Sequence, residues 1–333
     1  MTQIAVIGGG AWGTALADLL ARKGDSVAIW AREPEVVDSI NREHQNQMFL
    51  PDAPLATGLR AHGDITAAVR GAQVVVSAAP SHAVREVMKR VASSLAGRPL
   101  VVSVSKGLEP DHLATPSCVL RDVLPAGTDI AALSGPSFAQ EVYQGHPTAV
   151  VAAAREHAVA EQVQQTFSTT SFRVYSHTDV LGVELGGALK NVIALAAGIL
   201  EGLGLGYNTR AALLTRGLAE ITRLGVALGA EPATFAGLAG MGDLILTATG
   251  PLSRNHTLGI ELGQGKPLDQ ALASRPSVAE GVNTARAAVT LGERHGVELP
   301  IARQVTEVLF HGKAPRLAVA ALMERELKAE QWR

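Results

Sequence analysis

The chain has 333 residues, which at roughly 150 residues per domain fits about two domains. Hydrophobic residues make up 47% and 34 glycines add to them, so large cores can be buried and intrinsic disorder is excluded as the main state. Lys+Arg 29 against Asp+Glu 31 leaves no global basic footprint for nucleic acid, and a single cysteine, Cys118, excludes an internal disulfide or a thiolate metal cage.

The first half alternates short β-branched runs with amphipathic stretches. Strands are predicted at residues 4–7, 27–30, 74–78, 100–104, 130–133, 149–152 and 172–175. Helical segments fall between several of them, at 11–23, 82–95 and 156–167. This alternation predicts βαβ units and a mainly parallel sheet. After about Thr178 the strand signal ends, and the pattern becomes helical over 180–203, 210–228, 255–262, 279–295, 301–309 and 316–330. The expected organisation is an α/β domain over 1–178 followed by an all-α domain over 179–333.

Residues 4–17 are uncharged and end in Ala15-Leu16-Ala17, but no positive n-region precedes them and three glycines break the run. The apolar stretch 191–200 stops between Lys190 and Glu201, short of a membrane span. A soluble, cytoplasmic protein without stable membrane insertion is expected.

The run 4–7 leads into Gly8-Gly9-Gly10-Ala11-Trp12-Gly13. Gly8, Gly10 and Gly13 fit G-x-G-x-x-G: one glycine for a tight turn, one for approach of a pyrophosphate, one for helix–strand packing. A strand precedes and an Ala/Leu helix follows, whose first N–H groups and positive dipole end suit phosphates. This context predicts a dinucleotide-binding, Rossmann-type N-terminal domain. Beyond the second strand the chain reads Trp30-Ala31-Arg32-Glu33. Arg32 suits a 2′-phosphate, while Glu33 either turns away or accepts a ribose hydrogen bond. NADP is favoured there and NAD remains compatible.

The ten histidines are never closer than eleven positions, so no helix carries a His pair for a metal, and none is expected. What remains is a set of polar residues in small or apolar surroundings. Lys190 lies in a segment rich in Gly, Ala, Leu and Val, with Gly186-Gly187 one turn earlier, where a close approach by a backbone or ligand is possible. A lysine shielded in this way suits general acid–base work; a snorkelling surface lysine is the plainer alternative. Lys106 follows the strand at 100–104, at an edge where open α/β sheets bind ligands, and Ser134-Gly135-Pro136-Ser137 reaches the same edge. Asp243 ends a glycine-dense turn and either orients Lys190 or caps the next helix. Ser253 is a good N-cap, and with Arg254 and Asn255 it would form an anion site for a small phosphate ester.

At these residues the chain resembles the bacterial NAD(P)-dependent glycerol-3-phosphate dehydrogenases. The resemblance is carried by GGGAWGTALA, SKGLE, SGPSFAQEV, GVELGGALKNVIALAAGI, GLAGMGDL, SRN and AEGV, in family order over nearly the whole chain. It implies interconversion of dihydroxyacetone phosphate and sn-glycerol 3-phosphate, with NADP(H) or NAD(H), feeding glycerophospholipid synthesis. It implies Lys190 as proton donor and acceptor on the substrate oxygen. Lys106, Gly135, Ser137, Asp243, Ser253, Arg254 and Asn255 match substrate-contacting positions. Ala11, Trp12, Arg32, Lys106, Ala139, Arg254, Val278 and Glu280 match cofactor contacts. Glu33 departs from the basic or polar residue common at its position. The resemblance also implies an all-helical C-terminal domain and a homodimer, with no nucleic-acid partner. Two rivals stand beside it: a related dehydrogenase of another hydroxy acid, and a dinucleotide sensor without catalysis.

Overall fold

A computed structural model describes residues 1–95, 97–273, 279–327 and 329–330 of the chain. Two compact units emerge, one comprising Met1–Ala188 with Gly229–Asp243 and the other Leu189–Leu228 with Leu244–Arg333.

The first unit is built on an eight-stranded sheet: β1 (Gln3–Ile7), β2 (Ser26–Trp30), β3 (Arg60–His62), β4 (Val74–Ser77), β5 (Leu100–Ser103), β6 (Ile130–Ser134), β7 (Thr148–Ala154) and β8 (Phe172–His177). The spatial order is β3-β2-β1-β4-β5-β6-β7-β8. All neighbours pair in parallel except β6 with β7, so the last two strands run opposite to the first six. Strand order reverses between β1 and β4, which opens a crevice at their carboxyl ends.

Helices cover both faces of the sheet. α1 (Ala11–Lys23) and α4 (His157–Phe167) bury Leu16, Leu20, Val163 and Phe167 with Ile4, Val6, Val27, Ile29, Val76 and Val102. α2 (Val84–Ala92) and α3 (Pro116–Val123) bury Met88, Val91, Val119 and Leu120 against Ala5, Ile7, Val75 and Val101 on the opposite face. Burial on both faces explains why β4 and β5 read VVVS and LVVS rather than alternating. Gly24 ends α1 at φ 104, returning its N–H to Ala21 and Leu20.

All seven expected strands are present, with each end within two residues of its expected place. β3 was not anticipated, since Arg60-Ala61-His62 is short and two-thirds polar. The helix expected over 82–95 is a 3-10 turn, Ser81–Ala83, followed by the shorter α2.

A long helix, α5 (Val180–Gly202), starts in the first unit and continues into the second. It is long and apolar enough to cross a membrane, yet it is buried inside the protein. The helix matches the expected 180–203 and runs through Glu184 and Lys190, which are both buried with partners. Glu184 takes the main-chain N–H and the hydroxyl of Ser117 at 2.7 and 2.6 Å, closing the first turn of α3.

The second unit is helical: α6 (Tyr207–Ala227), α7 (Asp243–Thr249, whose first residue belongs to the other unit), α8 (Arg254–Gly263), α9 (Glu280–Arg294), α10 (Pro300–Phe310) and α11 (Pro315–Met323). α5 and α8 meet backbone to backbone. A methyl group on Gly198 would stand 2.0 Å from the carbonyl oxygen of His256, and one on Gly259 2.2 Å from that of Leu195. Gly202 and Gly263 repeat the contact one turn on. Buried Glu220 of α6 accepts the N–H groups of Ile301 and Ala302, at 2.7 and 3.3 Å, in the first turn of α10. α11 stops at Met323, short of the expected 330, and residues 324–327 beyond it are exposed.

Among the described residues strands do end at His177, yet the units part elsewhere than 178/179. The Asp179 carboxylate holds the N–H of Glu231 at 2.9 Å and the hydroxyl of Thr234 at 2.6 Å. Gly186 packs on the Ala239 carbonyl. These contacts tie 229–243 to the start of α5, and hence to the sheet unit.

Candidate active site

In the first unit the glycine turn connects β1 to α1 at the order reversal of the sheet. The Gly8 N–H bonds the Trp30 carbonyl at 3.0 Å, and Ala78 N–H bonds that of Ile7 at 3.0 Å. Gly8 has φ 135, and a methyl there would meet the Ala78 carbonyl oxygen at 2.7 Å. One on Gly13 would stand 2.0 Å from the Gly8 carbonyl oxygen. The fold itself therefore demands these two glycines. Gly10 differs: a methyl there would meet nothing within 4 Å. The space beside Gly10 adjoins the first N–H groups of α1, those of Ala11, Trp12 and Gly13, which have no partner four residues back in the helix. A pyrophosphate fits this cradle. Trp12 turns its ring into the core beside Phe172, at 6.5 Å between ring centres, so its main chain is what it offers at the turn.

A residue that the sequence reading missed braces this turn. Buried Asn46 donates to the Gly9 carbonyl and to the Thr14 hydroxyl, both at 2.8 Å, and accepts the Phe49 N–H at 3.1 Å. An asparagine in a polar stretch gives no signal of this role in sequence. Ala139 packs with Trp12 against the small cluster of Ala15, Leu50 and Ala53. Just past β2, Arg32 donates through Nε and Nη2 to one oxygen of Glu33, at 3.0 and 2.7 Å.

Beyond β5, Lys106 Nζ donates to the Gly135 carbonyl and to Asp243 Oδ2, each at 2.8 Å. Asp243 is 1% exposed and Lys106 18% by side chain, so the pair is largely shielded from water. Ser137 donates to the same Gly135 carbonyl at 2.9 Å. Gly187 allows the approach: a methyl there would lie 2.7 Å from the Ser134 hydroxyl and 3.6 Å from Lys106 Cγ. Thus four expected residues, Lys106, Gly135, Ser137 and Asp243, form one cluster.

In the second unit Lys190 is 5% exposed, and its Nζ donates to the Thr247 hydroxyl at 2.8 Å. The snorkelling alternative is excluded. Thr247 was not singled out, because a hydroxyl in Ile-Leu-Thr-Ala-Thr reads as helix filler. Ser253 caps α8 as expected, accepting the His256 N–H at 3.2 Å. Asn255 is buried and doubly engaged: Nδ2 donates to Asn191 Oδ1 at 2.9 Å and Oδ1 accepts the Gly281 N–H at 3.0 Å. It joins α5, next to Lys190, to α8 and the start of α9. Arg254 opens α8 with a solvent-exposed side chain. Loss of hydration among the surrounding protein atoms pulls its guanidinium below the ordinary range, while the Glu280 carboxylate acts in the opposite sense. Its guanidinium and the first N–H groups of a ten-residue helix together favour an anion. Val278 lies outside the described residues. Among the described residues, no group of three or more His, Cys, Asp or Glu is placed to hold a metal ion.

Two family models match the chain: the NAD-dependent glycerol-3-phosphate dehydrogenase N-terminus over residues 3–160 and its C-terminus over 179–320. A glycerol-3-phosphate dehydrogenase [NAD(P)+] of Geobacter sp. (strain M21) is 54% identical over 330 residues, 98% of either chain. The enzyme of the same name from Geobacter sulfurreducens is 54% identical over 332 residues, 99% of either chain. Among solved structures, the glycerol-3-phosphate dehydrogenase of Coxiella burnetii superposes with a TM-score of 0.93 at 37% identity, covering 97% of this chain and 99% of that one.

Proposed function

The chain belongs to the NAD-dependent glycerol-3-phosphate dehydrogenase family, and on that premise we propose that it interconverts dihydroxyacetone phosphate and sn-glycerol 3-phosphate, using NADP(H) or NAD(H). When bound, the nicotinamide supplies or accepts the hydride at C2. Every other role falls to the chain's own residues. Lys190 gives a proton from Nζ to the substrate oxygen in reduction and takes it back in oxidation, with Thr247 as an acceptor that aims the amine. Lys106, steadied by Asp243 and the Gly135 carbonyl, adds fixed positive potential where negative charge develops. Arg254 and the Ser253-capped end of α8 bind the phosphate, and this remote binding sets the carbonyl at reacting distance. The observation that carries the reading is Lys190 itself, a buried amine with a hydroxyl partner on a helix that is otherwise almost wholly apolar.

The same reading makes the enzyme a cytosolic homodimer that supplies glycerol 3-phosphate for glycerophospholipid synthesis. Its test follows the absorbance of NADPH, and separately of NADH, at saturating protein with dihydroxyacetone phosphate or unphosphorylated dihydroxyacetone. The phosphate ester is consumed with kcat/KM at least about 10²-fold higher than the unphosphorylated analogue, since a site built around a charged group rejects a ligand lacking it. Equal rates for the two would overturn the phosphate site, and no oxidation of either cofactor would overturn the activity.

A further inference from the structure

The loop that follows β2 carries opposite charges where only one would be needed. Ala31 is held by a hydrogen bond from its N–H to the His62 carbonyl at 3.1 Å. A methyl on Gly9 would come within 2.6 Å of Ala31 Cβ, so the end of β2 touches the phosphate turn directly. The residues just beyond that contact, Arg32 and Glu33, therefore stand where such folds meet the adenosine ribose of a dinucleotide. An acidic side chain there suits the two free hydroxyls of NAD, and an arginine suits the 2′-phosphate of NADP.

Here both are present and bound to each other. Nε and Nη2 of Arg32 converge on one Glu33 oxygen at 3.0 and 2.7 Å, which uses two of the donors that a phosphate would take. The main chain of Glu33 is itself fixed, its carbonyl accepting the N–H groups of Val36 and Val37 at 3.1 and 3.3 Å. The Arg32 side chain is 83% exposed against 24% for Glu33, so the arginine is the partner free to swing and the carboxylate the one that stays. Another nearby cation, Arg90, lies over the Trp30 ring at 5.4 Å.

We propose that Glu33 is a specificity-determining residue: by holding Arg32 and offering its own carboxylate to the ribose, it brings the affinities of this chain for NADPH and NADH close together. The proposal rests on the dinucleotide reading of the glycine turn. An exposed ion pair is readily broken, costing at most about a fivefold factor in affinity, so NADPH still binds by drawing Arg32 away from Glu33. The carboxylate remains beside the incoming 2′-phosphate and repels it, while for NADH it is an acceptor with nothing to displace.

The test is titration calorimetry of NADPH and of NADH into the substrate-free full chain, for wild type, Glu33→Gln and Arg32→Gln. Wild type binds the two within about tenfold of each other. Glu33→Gln tightens NADPH about tenfold, by release of Arg32 and loss of like-charge repulsion, and leaves NADH unchanged or weaker. Arg32→Gln weakens NADPH at least about tenfold and NADH less than twofold. The NADPH/NADH ratio of kcat/KM moves in the same directions. An unmoved ratio in Glu33→Gln, or equal loss of both nucleotides in Arg32→Gln, would overturn the proposal alone. A wild-type chain that binds neither nucleotide would overturn it together with the dinucleotide reading.

Discussion

Three glycines of one turn differ in what requires them, and alanine substitutions separate the reasons. In Gly13→Ala the new methyl would stand 2.0 Å from the Gly8 carbonyl oxygen, more than 1 Å inside contact distance and against backbone. Relief requires α1 to move off β1, which costs about 3 kcal/mol or more. In Gly8→Ala a 2.7 Å clash with the Ala78 carbonyl oxygen adds to a φ of 135 that alanine rarely adopts, a further cost of about 1–3 kcal/mol. Gly10→Ala meets nothing within 4 Å, and its φ of −70 is ordinary for alanine. Its stability is therefore expected to be unchanged or to rise by about 0.4–1 kcal/mol. The penalty appears in binding: the methyl fills the cradle at the start of α1 and disturbs hydrogen bonds to a charged phosphate. Each is worth about 1.5–3 kcal/mol, or roughly ten- to a hundredfold in affinity. Urea denaturation of the nucleotide-free variants, with calorimetric titration of NADPH, reads both quantities. A Gly10→Ala protein that bound NADPH as wild type does, or that lost as much stability as Gly13→Ala, would refute the division.

Three further outcomes follow from other parts of the molecule. Burial raises the Glu220 carboxyl from 4.5 to about 7, against the N–H groups of Ile301 and Ala302 and the Arg223 and Arg325 guanidinium groups, which lower it. Between these values the folded state binds more protons than the unfolded, so stability falls as pH rises from about 4.5 to about 7, by about 3 kcal/mol. Glu220→Gln, which keeps an acceptor for Ile301, flattens that slope in urea melts run across the range, and an unchanged slope would contradict the assignment. Gly259→Ala drives a methyl to 2.2 Å from the Leu195 carbonyl oxygen and destabilises by about 3 kcal/mol in the same assay; a loss under 1 kcal/mol would show that α5 and α8 can separate cheaply. Arg254→Ala raises KM for dihydroxyacetone phosphate and lowers kcat/KM about 10²-fold or more while leaving the slow reaction of dihydroxyacetone unaffected, and equal losses on both substrates would remove the phosphate role.

What the sequence reveals here depends on how local the cause is. α1 is legible to the residue, because its glycine-rich start and Gly24 stop lie in the chain itself. β4 and β5 are legible because burial on two faces writes an unbroken apolar run. β3 is not, since three residues on a sheet edge need no apolar pattern. At the site, the polar residues stand out singly, but their pairing does not. Lys106 and Asp243 are 137 positions apart, and Lys190 and Thr247 are 57 apart, so only packing discloses which carboxylate and which hydroxyl each lysine finds. Asn46 and Thr247 were missed for the same reason: their neighbours in sequence give no hint of the turn or amine that they hold. The boundary at 178/179 follows the end of the strands, whereas the compact units follow the hydrogen bonds of Asp179 to Glu231 and Thr234.

The account turns on proton transfer by one lysine. Steady-state reduction of dihydroxyacetone phosphate by Lys190→Ala, with NADPH binding measured on the same preparation, tests it most directly. The prediction is a kcat lower by at least about 10²-fold with NADPH affinity within twofold of wild type. Turnover near the wild-type rate in a protein that lacks this amine would contradict the account.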